Sequence, residues 1–164
     1  MKITLKHKGK KYRANLKKPI DISIPIKNGM ENPNCFYAPM PEFAPVRAGD
    51  FVGSTEECGV VNFFNIKMNP HGNGTHTECV GHITRKRYLI NDSLTSFHHF
   101  VKLVSIFPMK QENGDRVITR AQLEAVFSKN ETPALAIRTQ PNDDLKRTTN
   151  YSAANPPYLS LIHI

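Results

Sequence analysis

Apolar and polar residues alternate from the first positions of the chain: Ile3 and Leu5 precede a Lys8-Gly9-Lys10 turn, and Tyr12, Ala14 and Leu16 follow it. That period of two around a glycine predicts a hairpin with one solvated face. Ile20, Ile22, Ile24 and Ile26 extend the alternation and predict a strand over Pro19 to Ile26. The pattern then breaks. Asn28 to Asp50 carries Pro33, Pro39, Pro41 and Pro45, which predicts an irregular segment, and loops of that length are usually functional. Its Phe36, Tyr37 and Phe43 are candidates either to wall an apolar substrate pocket or to pin the loop to the core. Val60 to Met68 predicts a strand entering a polar loop that Ile83 to Leu89 leaves; Phe100 to Phe107 predicts another strand, ended by Pro108, and Ala134 to Arg138 a buried one. Between these two, Glu112-Asn113-Gly114-Asp115 predicts a turn. Thr119 predicts the cap of a helix from about Arg120 to Ser128, with Ala121, Leu123, Ala125 and Phe127 as its apolar residues. Strands with one convincing helix predict a mixed α/β architecture, and no internal repeat is visible.

The 164 residues fit one domain with a real core. No apolar run approaches membrane-spanning length, and the charged N-terminus is unlike a signal peptide, so a soluble protein is expected. Cys35, Cys58 and Cys79 are odd in number and lack a disulfide framework spacing, which predicts reduced thiols and a cytoplasmic location. The net charge of +8 suggests a polyanion partner until its location is read. Residues 1 to 18 hold eight of the 22 basic residues and no acid, and the basic residues that remain equal the 14 acids. All of the excess therefore lies in one short arm, whose charge also discourages edge-to-edge pairing. No stacking platform or recognised fold signature accompanies it, which argues against nucleic acid as a partner.

The chemistry concentrates in NPHGNGTHTECVGHI, Asn69 to Ile83, inside a stretch from Met68 to Thr84 without Lys or Arg. Histidine and carboxylate side chains bind zinc and move protons near neutrality. His76 and Glu78 are two apart, so in extended chain they share a face, and a shared ion requires their metal-facing atoms to lie within about 5 Å of each other. Gly72 and Gly74 allow the loop to return His71 toward the same point, and His82 stands near enough to serve the site without necessarily binding the metal. Exposed turns also cluster polar residues, but four potential ligands beside two glycines are hard to explain as solubilising surface. A structural zinc site using Cys79, His76, His82 and Cys58 is the alternative, although the paired C-x-x-C spacing is absent. Of the adjacent His98 and His99, at most one can face a site from extended chain.

GNGTHTECVGH resembles the signature of the metal-dependent cyclase and kynurenine formamidase family, H-x-G-T-H-x-D followed four residues later by His. Registered on Gly74-Thr75-His76, the resemblance implies His76 as a metal ligand, Glu78 in place of the bridging aspartate, and His82 as the proton-transfer histidine. The family's first histidine falls on Gly72, with His71 displaced by one. Flanking stretches agree in order: Asp21-Ile22-Ser23-Ile24-Pro25-Ile26 with Gly29-Met30, Pro133 to Thr139, and Asn155-Pro156-Pro157-Tyr158, so the resemblance covers about Lys18 to Tyr158.

The resemblance implies a swivelling β/β/α fold with a mixed sheet, a divalent cofactor, Zn²⁺ foremost, and hydrolysis of a small-molecule amide C–N bond. N-formylkynurenine, in tryptophan breakdown, is the leading substrate, with His76, Glu78 and His71 on the metal and His82 catalytic. The competing class is a non-catalytic module, zinc-stabilised or basic; self-association into a homo-oligomer is left open. Leu159-Ser160-Leu161-Ile162-His163-Ile164 matches the translated end of a transposase-based sequencing adapter, against a genuine apolar strand as the alternative. The expected organisation is therefore a basic hairpin at 1–18, a partial cyclase-like domain at 19–158 and a non-native tail at 159–164. The family's further His and Glu ligands are expected in a missing C-terminal part.

Overall fold

The computed structural model describes residues 1–160; Leu161 to Ile164, most of the suspected tail, lie outside the described residues. Helix and strand are mixed, in small separate sheets. Strands β1 (Lys2–His7) and β2 (Lys10–Asn15) pair antiparallel, with Leu5 opposite Tyr12 and Lys6 opposite Lys11. Lys8 and Gly9 both take the positive φ that so tight a turn requires. The hairpin docks through one aromatic contact: the rings of His7 and Tyr12 lie 4.5 and 5.3 Å from that of Phe100. His7 Nε2 and Lys8 Nζ also bond the carbonyls of Glu131 and Asn130.

The strand expected over Pro19 to Ile26 does not form. No neighbouring strand offers it a ladder, and Asp21 Oδ1 accepts from Ser23 N at 2.8 Å and Ser23 Oγ at 2.7 Å, which turns the chain. Ile20 and Ile22 are left exposed, while Ile24 and Ile26 are half-buried. The proline-rich segment, conversely, is less irregular than expected. It contains β3 (Glu42–Pro45) and β4 (Arg47–Ala48), with β5 (Phe51–Val52) folding back on β4. Pro41 precedes β3 and Pro45 ends it, so neither ring interrupts the ladder that Phe43 and Ala44 make with β6 (Phe64–Lys67). Two one-turn helices follow, α1 (Pro70–Asn73) and α2 (Ile90–Ser93), both too short to leave a periodic signal.

The core lies in the second half. Strand β7 (Val101–Ile106) alternates, with Val104 and Ile106 buried and Val101 and Leu103 exposed. After β8 (Met109–Lys110) and β9 (Arg116–Ile118), helix α3 (Arg120–Val126) opens with a capping box: Thr119 Oγ1 accepts from Gln122 N, and Gln122 Oε1 accepts from Thr119 N. Such a cap contributes about 1 kcal/mol. Strand β10 (Ala134–Thr139) then pairs parallel with β7. Leu123, Val126, Leu135 and Ile137 close over Val104, Ile106 and Ile118, each such side chain contributing roughly 1.5–3 kcal/mol when fully buried. Strand β10 is half-buried where a buried one is expected, because the other face of its sheet is open at Leu103. Tyr158 and Leu159 form β11 along β9, so the first residue of the suspected tail is paired. No helix among the described residues is long and apolar enough to cross a membrane.

Candidate metal centre

Helix α1 is one turn held at both ends. Asn69 Oδ1 accepts from Gly72 N at 3.1 Å and Pro70 opens the turn, where its missing N–H costs nothing. Gly72 is buried, and a Cβ there would lie 2.2 Å from Ala38 Cβ, so only glycine lets the turn seat against the Cys35–Ala38 segment. Gly74 turns the chain out extended, Thr75 Oγ1 accepts from Ile24 N at 3.2 Å, and a short 3₁₀ turn at Val80–His82 brings His82 around. At Gly81 a Cβ would stand 2.3 Å from the Tyr88 carbonyl oxygen, which ties this turn to the segment leaving the loop.

These local turns converge three imidazoles on one carboxylate oxygen. Glu78 Oε2 lies 3.2 Å from His71 Nδ1, 3.5 Å from His76 Nε2 and 3.7 Å from His82 Nδ1. The His71 ring stacks on His82 at 4.5 Å and meets His76 edge-on at 4.7 Å. His71, Glu78 and His82 each offer one ligand atom, all within 4.8 Å of one another. The side chains are 29–47% exposed, open enough for a ligand to reach them. Phe36, Ala38, Asn69, His71, Gly72 and His82 line a cleft of about 400 Å³ beside them. A larger concavity, about 530 Å³, runs along the hairpin between Lys2 and Asn15, but none of the clustered donors faces it.

The His76 ring is oriented by the backbone just before it. Its Nδ1 is 3.0 Å from the Gly74 carbonyl, which can only accept, so Nδ1 donates there and Nε2 is the ring atom turned toward Glu78. Nε2 and the carboxylate oxygen stand 3.5 Å apart, close enough to ligate one shared ion. Imidazole nitrogens and a carboxylate oxygen are the donor types that hold Zn²⁺, so these residues fit a divalent ion.

Sequence spacing anticipates the proximity of His76 and Glu78; the geometry adds that the displaced His71 is the nearest of the three rings, and that His82 also lies within ligand range. The gathered donor atoms include no thiol. Cys79 Sγ donates to the Tyr88 carbonyl at 3.4 Å, Cys58 is exposed, and burial pushes the Cys35 thiol up. His99 Nε2 bonds the Ser96 carbonyl, outside the cluster, as is His98. The supporting asparagines went unread: Asn69 and Asn73 hold α1, with Asn73 Oδ1 accepting from Asn69 N at 2.8 Å and its buried Nδ2 without a partner. The Asn-Pro pair that opens α1 is the signal for the first of them.

The family model described as "Putative cyclase" matches residues 20–162. No curated protein and no solved structure matches the chain.

Proposed function

From the chain's membership of the cyclase family, to which it belongs over most of its length, we propose that it is a metal-dependent hydrolase of amide C–N bonds, similar to an arylformamidase. The swivelling β/β/α architecture, N-formylkynurenine as substrate and Zn²⁺ as the ion are parts of the same proposal. The observation that carries it is the convergence of the His71, His76 and His82 ring nitrogens on Glu78 Oε2 beside an open cleft. His76, Glu78 and His71 would hold the ion. When bound, a divalent ion supplies Lewis-acid polarisation of a carbonyl and acidifies water.

The chain's own residues do the rest. Glu78 fixes the facing of three rings, and Gly74 O orients the His76 ring through its Nδ1. His82 takes the proton from the attacking water as the water oxygen bonds to the amide carbon. It returns that proton to nitrogen as the C–N bond breaks, giving an acid and an amine. A structural zinc site closes four protein ligands, and the half-exposed donors here, without a thiol, speak against one.

The test is chelation and reconstitution. Stripped protein should lose formamide hydrolysis and regain it with Zn²⁺ at one equivalent. Stoichiometric metal without turnover of any formamide would leave the cluster as a binding site only.

A further inference from the structure

The segment beside α1 is strained where the sequence gives no reason for strain. Phe36 and Tyr37 are consecutive non-glycine residues at φ +57° and +51°, a region side chains rarely adopt, and such outliers persist only where surrounding structure over-determines them. The structure supplies that restraint. Cys35 N donates to the Gly72 carbonyl at 2.9 Å, which locks one end onto the turn bearing His71. Tyr37 N donates to Ser152 Oγ at 2.9 Å, and Ser152 Oγ donates to Asn34 Oδ1 at 2.8 Å. Asn34 Nδ2 donates to the Ala38 carbonyl at 2.7 Å and closes the other end. Asn34 is itself 2% exposed and tied through its backbone to Thr149 and Tyr151, more than 100 residues away in sequence.

The strained strap ends in the cleft. Phe36 and Ala38 line it together with His71 and His82, yet Phe36 is 81% exposed and Tyr37 77%. An aromatic ring held out into solvent on a strained backbone does nothing for the core. Its cost is borne at the mouth of a site.

We propose that Asn34 and Ser152 are positioning residues that hold the Cys35–Ala38 strap, so that Phe36 forms a preformed apolar wall setting which amide N-substituents the cleft accepts. The proposal rests on the amide-hydrolase function. Preorganisation is the physical gain, because the wall is ordered before the ligand arrives. Neither Asn34 nor Ser152 touches the ligand; both act through Phe36.

The experiment compares formanilide with N-methylformamide on the metal-loaded full chain. Phe36→Ala should raise KM for formanilide about tenfold, the scale of one lost apolar contact surface. Ser152→Ala should do the same at unchanged metal content, lowering the preference for formanilide over N-methylformamide by that factor, and Ser152→Thr, which keeps the hydroxyl, should restore it. Ser152→Ala kinetics equal to wild type, or an equal loss on both amides, would overturn the proposal. If wild type hydrolyses neither amide, the hydrolase function fails separately, and formanilide binding is then read from broadening of its ring-proton NMR lines. A tenfold weaker affinity in both alanine variants supports the wall; absent binding, or equal binding by all variants, overturns it.

Discussion

Replacing Gly72 by alanine sets two calculable effects against each other. Alanine is favoured over glycine inside a helix by up to about 1 kcal/mol. The added Cβ, however, would stand 2.2 Å from Ala38 Cβ and 3.0 Å from the Cys35 carbonyl oxygen. Carbon atoms meet comfortably at about 3.5–4.0 Å, so α1 and the strap must separate by more than roughly 1 Å. Neither yields easily, since Asn69 caps one and the Asn34–Ser152 bonds hold the other. Overpacking of this kind costs roughly 1–3 kcal/mol, and an approach this short belongs in the upper half of that range, so subtracting the helix gain leaves a net loss of about 1–2 kcal/mol. In urea denaturation the midpoint should fall by roughly 0.5–1 M. A displacement of His71 on that scale should also lower turnover by about 100-fold. Adding Ala38→Gly removes the nearer clash and should recover most of the stability. A Gly72→Ala protein as stable as wild type, or a double variant no better than the single one, refutes the close approach as the reason for glycine.

Glu78→Gln should weaken zinc binding by at least about 100-fold in calorimetric titration, because the one oxygen shared by three rings loses its charge, whereas Cys58→Ser should leave stoichiometry unchanged. His82→Ala should retain metal while losing about 100-fold in turnover, and His76→Ala should lose the metal; equal metal loss in both makes His82 a ligand. The Lys102 ammonium bonded to Glu131, followed by the Ser128 N–H, holds the Glu131 carboxyl below its ordinary value. A lowered folded value means stability present above the ordinary carboxylate range and lost as pH falls through the folded value, so Glu131→Gln should flatten that acid limb of a stability-against-pH curve. Phe100→Ala should release the hairpin and speed tryptic cleavage within residues 1–18 by about tenfold, measured against an unchanged rate elsewhere.

What the sequence discloses is what short-range physics decides. Thr119 announces α3 because a cap acts within one turn, and the hairpin follows from a two-residue period around Gly9. His76 and Glu78 are readable as neighbours for the same reason, being two residues apart. The isoleucines at 20 to 26 carry the right period, but a strand also needs a partner, and period alone says nothing of one. The strap is illegible for a different reason: Phe36 and Tyr37 are not residues that favour positive φ, and the bonds that force them there come from residue 152. His71 falls between these cases, reaching Glu78 through a turn of four residues that periodicity does not register.

The hairpin has a consequence for the protein as a colloid. With the whole excess of positive charge on residues 1–18, the rest of the chain is nearly isoelectric, and it displays Phe97, Phe107 and Leu103 to solvent. Repulsion between copies therefore comes from one lever, attached to the body chiefly at Phe100. At physiological salt a charge is felt over only about 8 Å, so the arm shields its own flank and little else. Two copies approaching beyond the reach of the arm meet without net repulsion. Dispersal of this protein in solution is thus directional, and an anion that neutralises the arm would remove most of what keeps the molecules apart.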